Sequence, residues 1–245
     1  MSKFEEILGQ KDFVVTAEVD PPKGTDLEAF KETAAKLSGK VDALIVSDNR
    51  NAEARMSPLA AAAAVGGNGL EVILTLTCRD RNRLALTSDL LAAASWGLQN
   101  LLLVTGDFVS LGDHPDAKPV FDLDSVQTLQ LAAALAQGHD LAGGELLGAK
   151  PFFAGATVAP GSSPLGPQLM KLRKKVAAGA GFIVTRPVPA LAQLRDFVGQ
   201  AGTLDPAAAG SLFKEIKSSG LVAGAHLSAA DGHESLLELV AACGL

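Results

Sequence analysis

Residues 71–107 read EVILTLTCRDRNRLALTSDLLAAASWGLQNLLLVTGD. Glu71 to Thr77 is a short, mostly apolar run with the look of a buried strand. A helix follows from about Arg83 to Trp96. Asn100 to Thr105 is a second strand and the most apolar in the chain, and Gly106-Asp107 then opens a long loop. Two apolar strands joined by a helix make a β–α–β unit with the strands parallel in one sheet.

The same unit repeats in both directions. Toward the N-terminus, Phe13 to Val19 is a strand stopped by Pro21-Pro22, and Asp26 to Leu37 has helical period with Thr25 or Asp26 able to cap it. Asp42 to Ser47 is a strand. Ser57-Pro58 opens an Ala-rich helix, with proline at its tolerated first position, and Gly66-Gly67 ends it. Toward the C-terminus, a loop of about 18 residues is long enough to suggest function. It leads to a helix over Val126 to Gln137, a strand over Phe152 to Val158, a helix over Leu165 to Ala178 and a strand over Phe182 to Thr185. The tail reads as helices at Ala190 to Gly199 and Pro206 to Ser218, a strand at Leu221 to Leu227 and a helix at His233 to Ala242.

Alternating strands and helices predict an α/β fold with a helix-covered parallel sheet. No GxGxxG follows the first strand and no P-loop occurs, which weighs against an open dinucleotide fold. One domain over residues 1–245 is expected, either a closed barrel or an open doubly wound sheet, and about seven strands are legible.

Composition narrows the function. The net charge is -6 and no Lys/Arg block stands out, which argues against nucleic acid as a partner. The N-terminus lacks the apolar core of a signal peptide, and the uncharged run from Leu90 to Gly106 is a helix end and a strand rather than a membrane span. A cytoplasmic protein is expected. Cys78 and Cys243 form no CxxC and read as two reduced thiols, and the four histidines have no metal-ligand spacing.

Parallel α/β barrels carry their sites at the C-terminal ends of the strands. Those ends deliver Glu18, Asp20, Ser47, Asp48, Thr75, Thr77, Thr105, Gly106, Asp107, Thr157, Thr185 and Arg186. Glu18 shares a strand face with Val14 and Thr16. It reads either as a buried general acid or as a carboxylate paired with a base at the barrel mouth. Asp107 follows a glycine that permits close approach of a ligand, and it also suits an ordinary turn. Lys174 and Lys175 suit a solvated helix C-terminus or one small anionic ligand.

Six segments carry a resemblance: TAEVDPPKG around Glu18, TLTCRD at 75–80, LLLVTGD ending at Asp107, GDHPDAKPVFDLDS, ATVAPG at 156–161, and KKVAAGAGFIVTRPV. In this order and spacing, over about residues 13–188, they are similar to successive motifs of the methylenetetrahydrofolate reductase family. The resemblance implies one (β/α)8 TIM barrel over residues 1–245 that holds FAD, with hydride passing to 5,10-methylenetetrahydrofolate in one-carbon metabolism. Eight strands are then expected. The usual seventh has no counterpart between Gln200 and Ala209, so the barrel is expected to be modified, or to miss one strand, near its C-terminal end. Glu18 matches the family's general acid, and Asp107 the aspartate near flavin and pterin. Ser47, Asp48, Thr75, Thr105, Gly106, Phe121, Asp122, Val158, Lys174 and Lys175 match cofactor-side positions.

The implied partners are a tetrahydrofolate derivative and either NAD(P)H or a protein electron donor, with a partner subunit or a homo-oligomer. The chain departs from the family at Thr75, where histidine is common, and at Arg186, where a glutamine touches folate. An arginine there suits a carboxylate or a phosphate. Val188-Pro189-Ala190 replaces an aromatic wall. Two other readings follow from these departures: a flavoprotein subunit dependent on a partner, and an altered barrel that only binds flavin or folate.

Overall fold

Side chains alternate along β1 (Val14–Val19): Val15, Ala17 and Val19 pack outward against helices, while Val14, Thr16 and Glu18 face the opposite side. The period of two continues through β2 (Ala43–Val46), β3 (Glu71–Thr77), β4 (Asn100–Val104) and β5 (Phe153–Val158). With β6 (Phe182–Thr185) and β7 (Gly224–Leu227), these strands form one all-parallel sheet in the order β6-β5-β4-β3-β2-β1-β7. Among the described residues, seven parallel strands curl into a nearly closed barrel, with helices between them, of the (β/α)8 kind. The computed structural model describes residues 1–67, 69–160, 164–187, 223–229 and 232–245. The helices expected at 190–199 and 206–218, the gap between Gln200 and Ala209, and the segment from Val188 to Ala190 lie outside the described residues.

Among the described residues, the helices are α1 (Lys3–Gln10), α2 (Glu28–Leu37), α3 (Pro58–Val65), α4 (Arg83–Ser95), α5 (Ser125–Ala136), α6 (Leu165–Ala177) and α7 (His233–Ala242). Their inner faces and the outward strand residues form the larger core, rich in Leu, Val and Ala. Two details differ from the sequence reading. Helix α2 starts at Glu28 after Leu27, and Asp26 instead accepts the Glu28 amide at 2.9 Å, because its carboxylate reaches two residues forward in a local turn. Helix α1 was not anticipated. A capping box starts it: the Glu5 amide donates to Ser2 Oγ at 3.1 Å, and the Ser2 amide to the Glu5 carboxylate at 3.3 Å.

Helix α1 floors the barrel. Phe4 packs at its N-terminal end against Phe182 and Phe153, with ring centroids 5.5 and 6.1 Å away. Val14, Ala43, Ile45, Ile73 and Leu102 complete this apolar layer. Gly155 is required here, since a β-carbon would lie 2.4 Å from the Phe182 ring. Toward the C-terminal ends, the inward positions turn polar: Thr16, Glu18, Thr75, Thr77 and His226. An apolar floor beneath a polar mouth places the chemistry at the C-terminal rim. Among the described residues, no helix is long and apolar enough to cross a membrane.

Candidate active site

Pairing of β1 with β7 sets Thr16 directly opposite His226. Thr16 Oγ1 lies 3.0 Å from His226 Nδ1, which turns the other ring nitrogen toward the mouth. There His226 Nε2 stands 3.6 Å from Glu18 Oε2. Arg50, just beyond β2, faces the same carboxylate oxygen from 3.9 Å. Glu18 is half-buried, with a histidine on one side and an arginine on the other.

Arg50 itself is held by Asp20. Its Nε and Nη2 donate to the two carboxylate oxygens at 3.0 and 2.6 Å, and Nη2 also donates to the Ala229 carbonyl at 2.9 Å. Ser47 donates its hydroxyl to Asp20 as well. Burial opposes the Asp20 charge, but the bonds from Arg50 and Ser47 hold its carboxyl below the ordinary value. One guanidinium thus ties together the loops after β1, β2 and β7.

The loops after β2 and β3 are joined in the same way. Asp48 is fully buried, accepting the Thr77 amide at 2.7 Å and Arg81 Nη1 at 2.6 Å. Burial pushes its carboxyl above the ordinary value, against the pull of Arg81. Arg79, also buried, forks onto Asp80 at 2.8 and 2.7 Å and reaches the carbonyls of Asn49 and Asp107. Asn49, Asn51 and Ala52 all take positive φ in the loop after β2, a concentration of backbone strain common at functional sites.

On β3 and β4 the positions differ in character. Thr75 Oγ1 is buried with no hydrogen-bond partner, on the inward face of the barrel. Thr105 Oγ1 donates to Ser125 Oγ and accepts the Ser125 amide, so its hydroxyl is engaged at the start of α5. Gly106 has φ +96°, and a β-carbon there would sit 2.2 Å from Thr77 Oγ1. That backbone turns Asp107 toward β6, where its carboxylate accepts Arg186 Nη2 at 2.5 Å.

The remaining expected positions are spread along the rim. Phe121 has φ 43° and packs edge-on to Phe108, centroids 6.3 Å apart. Asp122 accepts the Arg83 amide and its guanidinium at 2.8–2.9 Å, and these bonds bring its carboxyl down to about 2. Val158 is buried, and its carbonyl takes the Arg186 amide at 2.8 Å. Lys174 and Lys175 are placed differently: Lys174 is exposed, whereas half-buried Lys175 donates to the Thr157 carbonyl at 2.6 Å. Burial and neighbouring Lys171 push the Lys175 ammonium below its ordinary value.

The sequence reading did not include Arg50, His226, Arg79 or Arg81 among the site residues. Strand parity is the signal that could have found His226, two residues along the inward face from Gly224. Among the described residues, no group of three or more His, Cys, Asp or Glu side chains is placed to hold a metal ion.

The model of the family described as methylenetetrahydrofolate reductase matches residues 3–204. An uncharacterized protein from Clostridium thermocellum that binds two copies of 5-methyl-5,6,7,8-tetrahydrofolic acid has a similar structure. Its TM-score is 0.60 at 11% identity, over 97% of each chain. Phosphonopyruvate hydrolase is similar at TM-score 0.58 and 16% identity, over 100% of this chain and 85% of that one. A tryptophan synthase chain from M. tuberculosis is similar at 0.57 and 16%, over 99% of each. At these identities the likeness is one of fold. No curated protein sequence matches significantly.

Proposed function

Because the chain belongs to the methylenetetrahydrofolate reductase family, we propose that it is a flavin-dependent oxidoreductase interconverting 5,10-methylenetetrahydrofolate and 5-methyltetrahydrofolate. The observation that carries the reading is the Thr16–His226–Glu18 chain in the barrel mouth. A protein of the same fold that binds 5-methyltetrahydrofolic acid supports folate as the substrate class.

The residues present fit FAD on the side of the mouth formed by β3, β4 and β5. Thr75 offers a buried hydroxyl without a partner to a polar edge of the ring system. Gly106 lets the backbone close onto Thr77 at φ +96°, and Lys175 would supply a half-buried cation for phosphate. Phe121 offers the adenine an aromatic face. When bound, FAD supplies the hydride carrier between an electron donor and the folate.

The chain's own residues supply the proton chemistry. Glu18 protonates a ring nitrogen of the methylene bridge, which opens the five-membered ring to an iminium. His226, fixed by Thr16, returns a proton to Glu18 from solvent. Asp107 lies across the barrel and stabilises the positive charge of the iminium once the substrate has entered. Arg50 sets the position of Glu18 and closes the loops around it. In the reverse direction Glu18 accepts the same proton.

The electron donor is a nicotinamide dinucleotide or a redox protein, and the chain works in one-carbon metabolism. The test is to purify the protein, load it with FAD, reduce it, and add 5,10-methylenetetrahydrofolate. Recovery of oxidised-flavin absorbance with formation of 5-methyltetrahydrofolate supports the reading. A flavin-loaded protein inert to that folate refutes it. NADH, NADPH and a reduced ferredoxin, compared as donors, distinguish the electron source.

A further inference from the structure

Five arginines near the barrel mouth are committed to protein partners. Arg50 forks onto Asp20, Arg79 onto Asp80, Arg81 spans Asp48 and Asp89, Arg83 forks onto Asp122, and Arg55 binds Glu53 and the Pro21 carbonyl. Arg186 differs. Among the described residues, its side chain makes one hydrogen bond, from Nη2 to Asp107 Oδ1, and it stays 61% exposed. A guanidinium carries five N–H donors in a planar fork suited to a carboxylate. The other four have no partner among the described residues.

The placement gives those donors a direction. Arg186 continues the inward face of β6 after Phe182 and Val184, and its amide is anchored on Val158 of β5. The side chain therefore reaches over the end of β5 to Asp107 on the loop after β4. It sits at the rim rather than in the polar layer around Glu18.

We propose that Arg186 is a specificity-determining residue that binds a carboxylate of the substrate, with Asp107 holding the guanidinium in place until the substrate arrives. Resting on the functional reading above, that carboxylate belongs to the acidic tail of the reduced folate. Asp107 and the tail then compete for one guanidinium, so removing either residue of the pair has opposite effects on binding.

The experiment is calorimetric titration of 5-methyltetrahydrofolate into the wild-type chain, Arg186→Gln and Asp107→Asn. A tetrahydropterin lacking the tail and NADH are titrated in parallel. Arg186→Gln is expected to weaken folate binding about 10- to 100-fold, the scale of a lost charge-assisted hydrogen bond. It leaves the tail-less pterin unchanged. Asp107→Asn is expected to hold or tighten folate binding. Equal loss in both variants would make Arg186 only a support for Asp107 and overturn the proposal. So would unchanged folate binding in Arg186→Gln, an equal loss for the tail-less pterin, or a loss confined to NADH. A wild-type chain that binds none of the folate refutes the functional reading itself.

Discussion

His226 Nε2 stands 3.6 Å from Glu18 Oε2, although 208 positions separate the two residues. The β1–β7 pairing creates this contact, and Thr16 aims it by engaging the other ring nitrogen. The proton relay proposed for this chain of residues has a specific consequence. His226→Ala is expected to lower kcat about 10²-fold while folate affinity stays near wild type. Added imidazole is expected to restore part of the rate. Steady-state kinetics with and without imidazole checks this, and a loss expressed wholly in KM would contradict it.

The Asp48–Arg81 pair joins the loops after β2 and β3. Asp48 is fully buried, and its removal strands Arg81 in a largely buried position. Asp48→Ala is expected to cost about 3–5 kcal/mol of stability, as for other broken buried pairs. Urea unfolding followed by circular dichroism measures it. A change under 1 kcal/mol would show that water or Asp89 compensates.

Asp20 gives a pH signature. Its folded-state carboxyl lies below the ordinary 3.8, so it stabilises the fold above that pH, and the contribution is lost as pH falls through the lower folded value. Asp20→Asn is therefore expected to be less stable than wild type at neutral pH. The gap should close as the solution is acidified below pH 3.8. Melting temperatures of both proteins across the acid range check the sign.

Gly106 is conformationally required. Alanine there must hold φ near +96° with a β-carbon 2.2 Å from Thr77 Oγ1. Gly106→Ala is expected to destabilise by about 1–3 kcal/mol and to weaken flavin binding more than folate binding. Thermal unfolding and fluorescence titration with FAD separate the two effects.

Much of the barrel was legible because strand periodicity and helix punctuation are local. The strands Glu71–Thr77 and Phe182–Thr185 and the helix His233–Ala242 have the limits that the residues suggested. Helix α1 escaped notice even though Ser2 and Glu5 spell a capping box, because its apolar face shows its purpose only against Phe153 and Phe182. Glu18 and Asp107 could be nominated from strand ends and motif order. The pairings they make could not. His226 reaches Glu18 only through strand adjacency across the closing barrel, and Arg186 reaches Asp107 over an intervening strand. Likewise, the adjacent Lys174 and Lys175 look equivalent in sequence, but the helix turns one outward and the other toward Thr157.

The central claim is that Glu18 is the proton donor to a folate in a flavin-loaded site. Its most direct test is a single-turnover experiment on reduced, FAD-loaded wild type and Glu18→Gln, each mixed anaerobically with 5,10-methylenetetrahydrofolate. The wild type is expected to recover oxidised-flavin absorbance. The variant should bind the folate but recover at least about 10²-fold more slowly. Equal rates in the two proteins would contradict the claim.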